Sequence, residues 1–433
     1  MEIYVIQKGD TINSIADKFG VSANRLIHDN GLELLDNLVI GQSIIITYPS
    51  QTYIVQEGDS LSSIAEAFGI TLIELLRNNS FLSDREYIYP GETLVIRYNT
   101  TSKVTVNGYA YPFINHNTLI KSLPYLTYLS IFNYRLSEEV EIMTYSNDTE
   151  MIQIAKDYGV VPLMMLSSLS PFGEPNIELL FKVLNNKEYH DQLVKNILKI
   201  LKSSDFHGIN IMISGINETN QKNYIDFLTE ISKTLKDNGY LLFITINPYL
   251  KYTDEQITFE HLDYTALHQI VDGIIFLHYV WSTNTNPPAP VSSIRLIQNL
   301  IDYVVKMAPA DKITVGKPLI GYDWELPFNP KTSRAYSLTI ASALRLAHDV
   351  GSIIQFDEES QTPFFQYKVF YANIPVEHIV WFIDARSINV LDQLVNDYNL
   401  TGSGIWNMMI YYQQIWSLIN SQYEIIKLIP SNL

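Results

Sequence analysis

Two carboxylates stand where a proton donor could act, each in a loop that follows an apolar segment. Glu218 comes four residues after Ser214, and Asp323 follows the segment that ends at Ile320. A carboxyl group can serve as a general acid only within hydrogen-bond reach of the oxygen that it protonates. The alternative is that both are solvated loop acids.

Other reactive chemistry has no signature in this sequence. The nine histidines show neither His-Glu-x-x-His nor His-x-His spacing, so no metal is expected. Cysteine is absent, which excludes disulfides, zinc–thiolate sites and a thiolate nucleophile. Glycine-rich phosphate loops and Gly-x-Ser-x-Gly elbows are also absent, and no cofactor is expected.

Eight short apolar segments alternate with amphipathic helical stretches between residue 103 and the C-terminus. The segments are 104–110, 127–134, 160–166, 208–213, 241–246, 273–279, 313–320 and 403–408. This alternation predicts the α/β class and a (β/α)8 barrel, whose strands open at one mouth. Since roughly eighty residues between the last two segments are too many for a loop, we predict an α+β subdomain inserted at about 328–400.

An internal repeat precedes the predicted barrel. Residues 4–30 match residues 53–79 with constant spacing. Each copy reads as a strand, a Gly-Asp turn, two short helices and a second strand, with Asp10 or Asp59 placed to cap the first helix. The sequence therefore predicts two βααβ domains, residues 2–48 and 51–98, before a barrel that spans 103–433.

The shared pattern, Tyr-x-x-Gln-x-Gly-Asp-x-x-x-Ser-Ile-Ala-x-x-Phe-Gly, closely resembles the LysM domain. The resemblance implies binding of N-acetylglucosamine polymers, peptidoglycan or chitin, in a shallow groove between the loop after the first strand and the loop before the second. The residues that it places in or near the two grooves are Gly9, Asp10, Thr11, Asn30, Gly58, Asp59, Ser60 and Asn79. Alternatively, the Gly-Asp pairs form only a turn and a helix cap.

Four segments of the barrel region, residues 106–113, 123–130, 316–327 and 380–387, carry a second resemblance. They are similar to the glycoside hydrolase family 18 barrels of endospore-forming bacteria, spore cortex-lytic N-acetylglucosaminidases in which two LysM domains precede the barrel. The resemblance implies synthesis in the mother-cell cytoplasm and deposition on the spore surface or coat, beside coat proteins. The N-terminus, which shows no signal peptide, agrees with that expectation.

Family 18 enzymes carry Asp-x-x-Asp-x-Asp-x-Glu along the fourth strand. The Glu protonates the glycosidic oxygen, while the preceding Asp orients the substrate acetamide that attacks the anomeric carbon. Segment 206–214 aligns with this motif and keeps Gly208, but its four motif positions are His207, Asn210, Met212 and Ser214. Neither a serine hydroxyl nor a thioether can act as the acid. The resemblance therefore predicts a barrel without its catalytic acids, for which Glu218 or Asp323 could substitute.

This sequence keeps several of the aromatic residues of family 18 barrels. On the sixth strand, Leu-His-Tyr-Val-Trp matches the family's Met-x-Tyr-x-Trp, with Val280 at the acidic position. The candidates for sugar-facing rings are Tyr279, Trp281, Trp324 and Trp406. Such rings could hold a glycan that is not cut, or they could be ordinary barrel aromatics.

The amino-acid composition excludes further classes of binding partner. The 29 basic and 46 acidic side chains give a net charge of −17, so nucleic acid is not expected as a partner. The apolar stretches, such as 271–281, are too short for membrane insertion. The leading hypothesis is an inactive, glycan-binding component of the spore envelope. An N-acetylglucosaminidase with a relocated acid and a structural coat or parasporal protein remain open.

Overall fold

The computed structural model describes most of the 433 residues. The described residues are 1–32, 38–83, 85, 87–168, 176–212, 215–247, 250–252, 257–259, 261–277 and 285–433. None of the helices among them has the length and apolar character needed to cross a membrane.

The N-terminal repeats are two small βααβ domains, each closed by a two-stranded antiparallel sheet. The first repeat contains β1 (Glu2–Val5), α1 (Ile12–Phe19), α2 (Ala23–Asn30) and β2 (Ser43–Ile46). The second contains β3 (Gln51–Ile54), α3 (Leu61–Phe68), α4 (Leu72–Asn78) and β4 (Thr93–Arg97). In both, the first helix ends at a glycine, Gly20 or Gly69, in the left-handed conformation that favours glycine.

Eight parallel strands then close into a barrel. In ring order they are β5 (Ser102–Ala110), β6 (Tyr128–Leu136), β8 (Val161–Ser167), β9 (Gly208–Met212), β10 (Leu241–Ile246), β13 (Gly273–Phe276), β14 (Ile313–Pro318) and β20 (Gly402–Trp406), which pairs again with β5. Each strand packs against helices outside and side chains inside, which explains its apolar sequence. The predicted (β/α)8 barrel is confirmed.

Helices and short strands complete the barrel unit. The helices are α5 (His116–Ser122), α6 (Thr149–Asp157), α7 (Ile177–Leu184), α8 (Lys187–Ser204), α9 (Gln221–Asp237), α10 (Tyr264–Ile270), α11 (Ile294–Val304), α13 (Ala385–Asp397) and α14 (Gln413–Gln422). The short strands are β7 (Ile142–Thr144), β11 (Leu250–Tyr252), β12 (Ile257–Phe259) and β21 (Tyr423–Ile425).

An α+β subdomain is inserted between β14 and β20, as predicted. Its five-stranded antiparallel sheet is made of β15 (Gly321–Leu326), β16 (Tyr336–Leu338), β17 (Gln355–Asp357), β18 (Thr362–Tyr371) and β19 (Ile374–Phe382), with α12 (Ile340–Asp349). The predicted limits of 328 and 400 are wrong. The sheet begins earlier, at Gly321, and α13 belongs to the barrel because its Asp392 pairs with the buried Lys317 of β14.

Direct hydrogen bonds fix both repeats to the barrel. Gln414 of α14 donates through Nε2 to Asn30 Oδ1 at 3.0 Å in the first repeat. In the second repeat, Arg77 Nε donates to Asn420 Oδ1 of α14 at 2.8 Å. One face of each repeat is consequently buried against the barrel unit, and only the remaining faces are free to meet a ligand.

Candidate functional site

Apolar side chains line the barrel where its strands end. Met212, the last residue of β9, is 4% exposed and lies in one cluster with Tyr109 of β5, Phe132 of β6, Met165 of β8 and Phe243 of β10. Alternation along the strands turns these side chains to the interior. The third motif position therefore lies at the end of the barrel where active sites form, but its thioether neither carries charge nor donates a proton.

A layer of neutral polar side chains accompanies the apolar cluster. Asn210 Nδ2 donates to Ser130 Oγ at 3.0 Å, and Thr245 Oγ1 donates to Asn210 Oδ1 at 2.8 Å. Ser130 Oγ donates to Asn107 Oδ1 at 3.0 Å, and the Tyr109 hydroxyl lies 2.9 Å from Thr245 Oγ1. Burial raises the pKa of Tyr109 to about 12, although these hydrogen bonds oppose the rise. The second motif position, Asn210, thus sits in an uncharged network.

Aromatic rings lead from this interior to the surface. The Trp406 ring lies 5.5 Å from the rings of Tyr109 and Phe132, between centroids. Tyr111 follows at 4.8 Å from Phe132 and stacks at 5.1 Å on Phe113, which is 65% exposed. We call these five residues the aromatic track. Of them the sequence analysis named only Trp406, although the Tyr-Pro-Phe that follows the first barrel strand was a signal for Tyr111 and Phe113.

The two candidate substitute acids do not meet at the mouth. Asp323 is buried within β15 of the subdomain sheet, not in a loop as predicted. It accepts a 2.6 Å hydrogen bond from the Tyr367 hydroxyl and lies 3.0 Å from Nδ1 of His378. Glu218 is exposed. It lies near Tyr303 of α11, because burial and nearby acidic groups that include Glu218 raise the pKa of that tyrosine. Across the described parts of the chain, no three acidic or histidine side chains gather to hold a metal ion.

The remaining predicted barrel residues fall into three groups. Those that lie outside the described residues are Ser214, Tyr279 and Trp281. His207 precedes β9, at the end of the barrel opposite the mouth, and burial lowers its pKa. Trp324 is 1% exposed and its Nε1 donates to the Asn286 carbonyl at 3.0 Å. The predicted sugar-facing role of Trp324 is therefore wrong, because its ring is enclosed and its N–H is bound.

In the first repeat, the predicted turn lies between β1 and α1. Asp10 Oδ2 accepts hydrogen bonds from the Tyr4 hydroxyl at 2.8 Å and from the backbone N–H of Gln7 at 2.7 Å. Thr11, not Asp10, is the N-cap of α1, and its Oγ1 accepts from Ser14 N at 3.0 Å. The predicted capping role of Asp10 is wrong, because its carboxylate shapes the turn instead.

The second repeat reproduces this turn. Asp59 Oδ2 accepts from the Tyr53 hydroxyl at 2.8 Å, and Ser60, not Asp59, caps α3. Gly9 and Gly58 have φ angles of +92° and +91°, and a Cβ atom at either would meet nothing within 4 Å. The glycine, aspartate and hydroxyl residues of both turns are at least partly exposed, where a ligand could reach them.

The two predicted asparagines occupy a different environment. Asn30 is buried, donates to the Ile45 carbonyl at 2.8 Å and accepts from the Ile45 N–H at 2.7 Å. Asn79 makes the same pair of bonds with Val95, each at 2.8 Å. Asn30 and Asn79, predicted to lie in or near the grooves, thus use their amides to join the second helix of each repeat to the second strand.

Two family models match the chain. Glycosyl hydrolases family 18 matches residues 170–409, and the LysM domain matches residues 4–47 and 53–97. These matches fall on the barrel and on the two βααβ repeats.

Relatives and solved structures align over the full length. A cortical fragment-lytic enzyme of Bacillus subtilis (strain 168) is 30% identical over 435 residues, 99% of each chain. One of Bacillus anthracis is 28% identical over the same shares. The crystal structure of the spore cortex-lytic enzyme SleL of Bacillus megaterium QM B1551 has a TM-score of 0.79 at 29% identity, and 99% of each chain is covered. That of Bacillus cereus SleL has a TM-score of 0.78 at 28% identity and covers 98% of this chain and 99% of its own.

Proposed function

Because the chain belongs to glycosyl hydrolases family 18 and carries two LysM domains, we propose that it binds N-acetylglucosamine-containing glycans without cutting them. The glycan would be the peptidoglycan of the spore cortex or chitin. The protein would act as a binding component of the spore envelope, not as a hydrolase.

One observation carries the proposal. Within the bounds that the structure gives them, none of the eight barrel strands contains an Asp or a Glu. Cleavage in this family needs a proton donor and a charged partner that tunes it, both aimed at one glycosidic bond. Met212 and the neutral network around Asn210 supply neither charge nor an acidic proton.

The aromatic track supports retention of a glycan. Aromatic rings offer large apolar faces to the apolar face of a sugar ring, and the track reaches solvent at Phe113. Its rings line one side of the interior that contains Met212. A sugar could therefore meet the accessible rings of Phe113, Tyr111 and Trp406 without meeting a carboxylate from the strands, while the buried Tyr109 and Phe132 support them from below.

The envelope location is part of the same proposal. It rests on the similarity of this chain to spore cortex-lytic enzymes. We propose synthesis in the mother cell and deposition on the spore surface or coat, with coat proteins as neighbours. Immunoblots of coat extracts and of mother-cell lysates would test it, and a signal confined to vegetative cells would contradict it.

The test of function combines turnover and retention. Purified full-length protein is incubated with N-acetylglucosamine oligomers and cortex fragments, and mass spectrometry follows the release of new reducing ends. In parallel, the protein is sedimented with insoluble peptidoglycan. We expect retention without release. Release of reducing ends by the unmodified protein would refute the loss of catalysis, and failure to sediment would refute glycan binding.

A designed pair of variants sharpens the turnover test. Met212→Asp with Ser214→Glu restores the carboxyl types of the family motif, whereas Met212→Asn with Ser214→Gln has similar shapes and no acid. Reducing-end release by the first variant and not by the second would indicate that the groove still positions substrate. Both are checked for folding by circular dichroism before the assay.

A second function is favoured by one specific observation. Relatives named cortical fragment-lytic enzymes align with 99% of this chain, so hydrolysis of cortex fragments by a relocated acid is the alternative. It requires activity in the unmodified protein that disappears in Glu218→Gln or in Asp323→Asn. The enclosed setting of Asp323, bound by Tyr367 and His378, counts against that residue.

A further inference from the structure

The two LysM domains differ at the rim that precedes their second strand. Gly41 and Gly91 are equivalent: their φ angles are +87° and +90°, and their N–H groups donate to Ile6 and Val55 at 2.9 and 2.8 Å. Gly41 is buried, and a Cβ atom there would overlap the carbonyl oxygen of Ile354 in the inserted subdomain. Gly91 is exposed, and a Cβ atom there would meet nothing within 4 Å.

Several bonds hold the rim of the first domain against the rest of the protein. The Ile354 N–H donates to the Ile40 carbonyl at 3.0 Å, and Arg386 Nη2 donates to the Gly41 carbonyl at 3.2 Å. Ser43 Oγ donates at 2.9 Å to Asp384, the N-cap of α13. These bonds join the first domain to both the subdomain and the barrel, so its rim is used for internal contacts.

Among the residues that the structure describes, none covers the rim of the second domain in this way, and that rim carries two tyrosines. Tyr89, at the position of Val39 in the first domain, is 59% exposed, whereas Val39 is 5% exposed. Tyr87 is 69% exposed. The segment is nonetheless held in place, because Glu92 accepts from the Tyr89 N–H at 3.0 Å and pairs with Arg85 at 2.7 Å.

This rim lies beside the turn that contains Gly58 and Asp59. The Gly91 N–H donates to the Val55 carbonyl and the Val55 N–H donates to the Glu92 carbonyl, which places the rim next to the strand end from which the turn departs. Tyr87 and Tyr89 are two residues apart and both exposed, and tyrosine offers a flat apolar face together with a hydroxyl for hydrogen bonding. That chemistry suits a pyranose chain with acetamido groups.

We propose that the two LysM domains have separate roles. The second binds the N-acetylglucosamine-containing glycan through Tyr87, Tyr89 and the Gly58-Asp59 turn. The first is a structural bracket, because its rim is occupied by contacts with the subdomain and the barrel. The inference rests on the proposed glycan-binding function and adds which domain performs it.

The absence of cysteine allows a matched test in the full-length chain. Lys8 and Glu57 are equivalent, exposed turn residues, so Lys8→Cys and Glu57→Cys each place one thiol in one turn. Maleimide labelling is timed with and without saturating N-acetylglucosamine tetrasaccharide. We expect labelling at least about tenfold slower in Glu57→Cys and unchanged in Lys8→Cys. Calorimetry of the unmodified protein with the same tetrasaccharide shows whether it binds at all.

The outcomes separate the two proposals. No calorimetric binding would overturn the glycan-binding function and this inference together. Binding with protection at Lys8→Cys, at both thiols or at neither would overturn the division of roles and leave glycan binding standing.

A second pair of variants tests the tyrosines directly. Tyr87→Ser with Tyr89→Ser should weaken retention of the full chain on insoluble chitin by about tenfold, equivalent to about 1.4 kcal/mol. The control is Tyr336→Ser, which removes a tyrosine that is 66% exposed on the subdomain. Equal retention of the double variant and the control would contradict the assignment of Tyr87 and Tyr89.

Discussion

Placing a carboxyl group at Met212, at the mouth end of the barrel interior, measures how apolar that interior is. Met212 is 4% exposed, among Tyr109, Phe132, Met165 and Phe243. Burial in such surroundings raises a carboxyl pKa by about three pH units. At about 1.4 kcal/mol per unit, Met212→Asp should lower the free energy of unfolding at pH 7 by about 4 kcal/mol through ionisation alone.

The sign of the pH dependence follows from the raised pKa. Below about pH 4 the introduced carboxyl group is protonated in both folded and unfolded chains, so ionisation has no effect on stability. As the pH rises, the unfolded chain loses its proton first, and the folded state is progressively disfavoured up to about pH 7. Stability is therefore lost towards neutral pH, in the opposite sense to an ordinary paired carboxylate.

The assay compares two variants of similar shape. Urea unfolding of Met212→Asp and Met212→Asn is followed by tryptophan fluorescence from pH 4 to pH 7. We expect the two unfolding midpoints to coincide at pH 4 and to separate steadily above it. A separation that does not change with pH would refute the reasoning, because it would show that the carboxyl group is solvated. A separation that shrinks as the pH rises would also refute it, because it would show that the carboxylate is paired with a cation.

Two other perturbations probe buried charge elsewhere in the barrel. Burial, with a smaller effect of Lys156, lowers the pKa of His207 below its usual 6.5; the folded state should therefore lose stability as the pH falls below about 6.5. His207→Gln should flatten thermal melting temperature against pH in that range, and an unaltered profile would contradict it. Lys317→Met should lower the free energy of unfolding by about 3–5 kcal/mol, because it leaves Asp392 buried without its partner. Lys317→Met with Asp392→Leu should recover most of that loss in urea unfolding, and a loss as large as that of the single variant would contradict it.

The barrel could be predicted from sequence because its strands meet apolar groups on both sides. The segment predicted at 241–246 coincides with β10, and the segment at 208–213 overlaps β9 almost completely. The start of the inserted sheet had no such signal. Only Leu319 and Ile320 separate β14 from β15, and neither is a turn-forming residue. The apolar pattern therefore gave no boundary between the last residues of β14 in the barrel and the first residues of β15 in the inserted sheet.

The site residues whose surroundings were not predicted share a physical cause. The residues adjacent to a side chain in the sequence do not show which distant group it contacts in the fold. Asn30 looks like a polar loop residue in the sequence, yet its amide is occupied by Ile45, fifteen residues away. Trp324 looks like an exposed platform, yet it is enclosed and bound to Asn286. The difference between Gly41 and Gly91 depends on Ile354, on a separate subdomain. No local pattern in either repeat carries that information.

The hydrogen bonds around Asn210 bear on whether the barrel interior could accommodate a carboxyl group at Met212. Asn210 donates to Ser130 and accepts from Thr245, so its amide is hydrogen-bonded on both sides without any charge. A carboxylate at Met212 would find these donors occupied and would meet apolar groups on its other sides. A cost of about 4 kcal/mol is a large share of the 5–15 kcal/mol that stabilises a typical domain. The cost of one acid at Met212 would therefore have to be offset by more polar neighbours, which favours a neutral interior at this position.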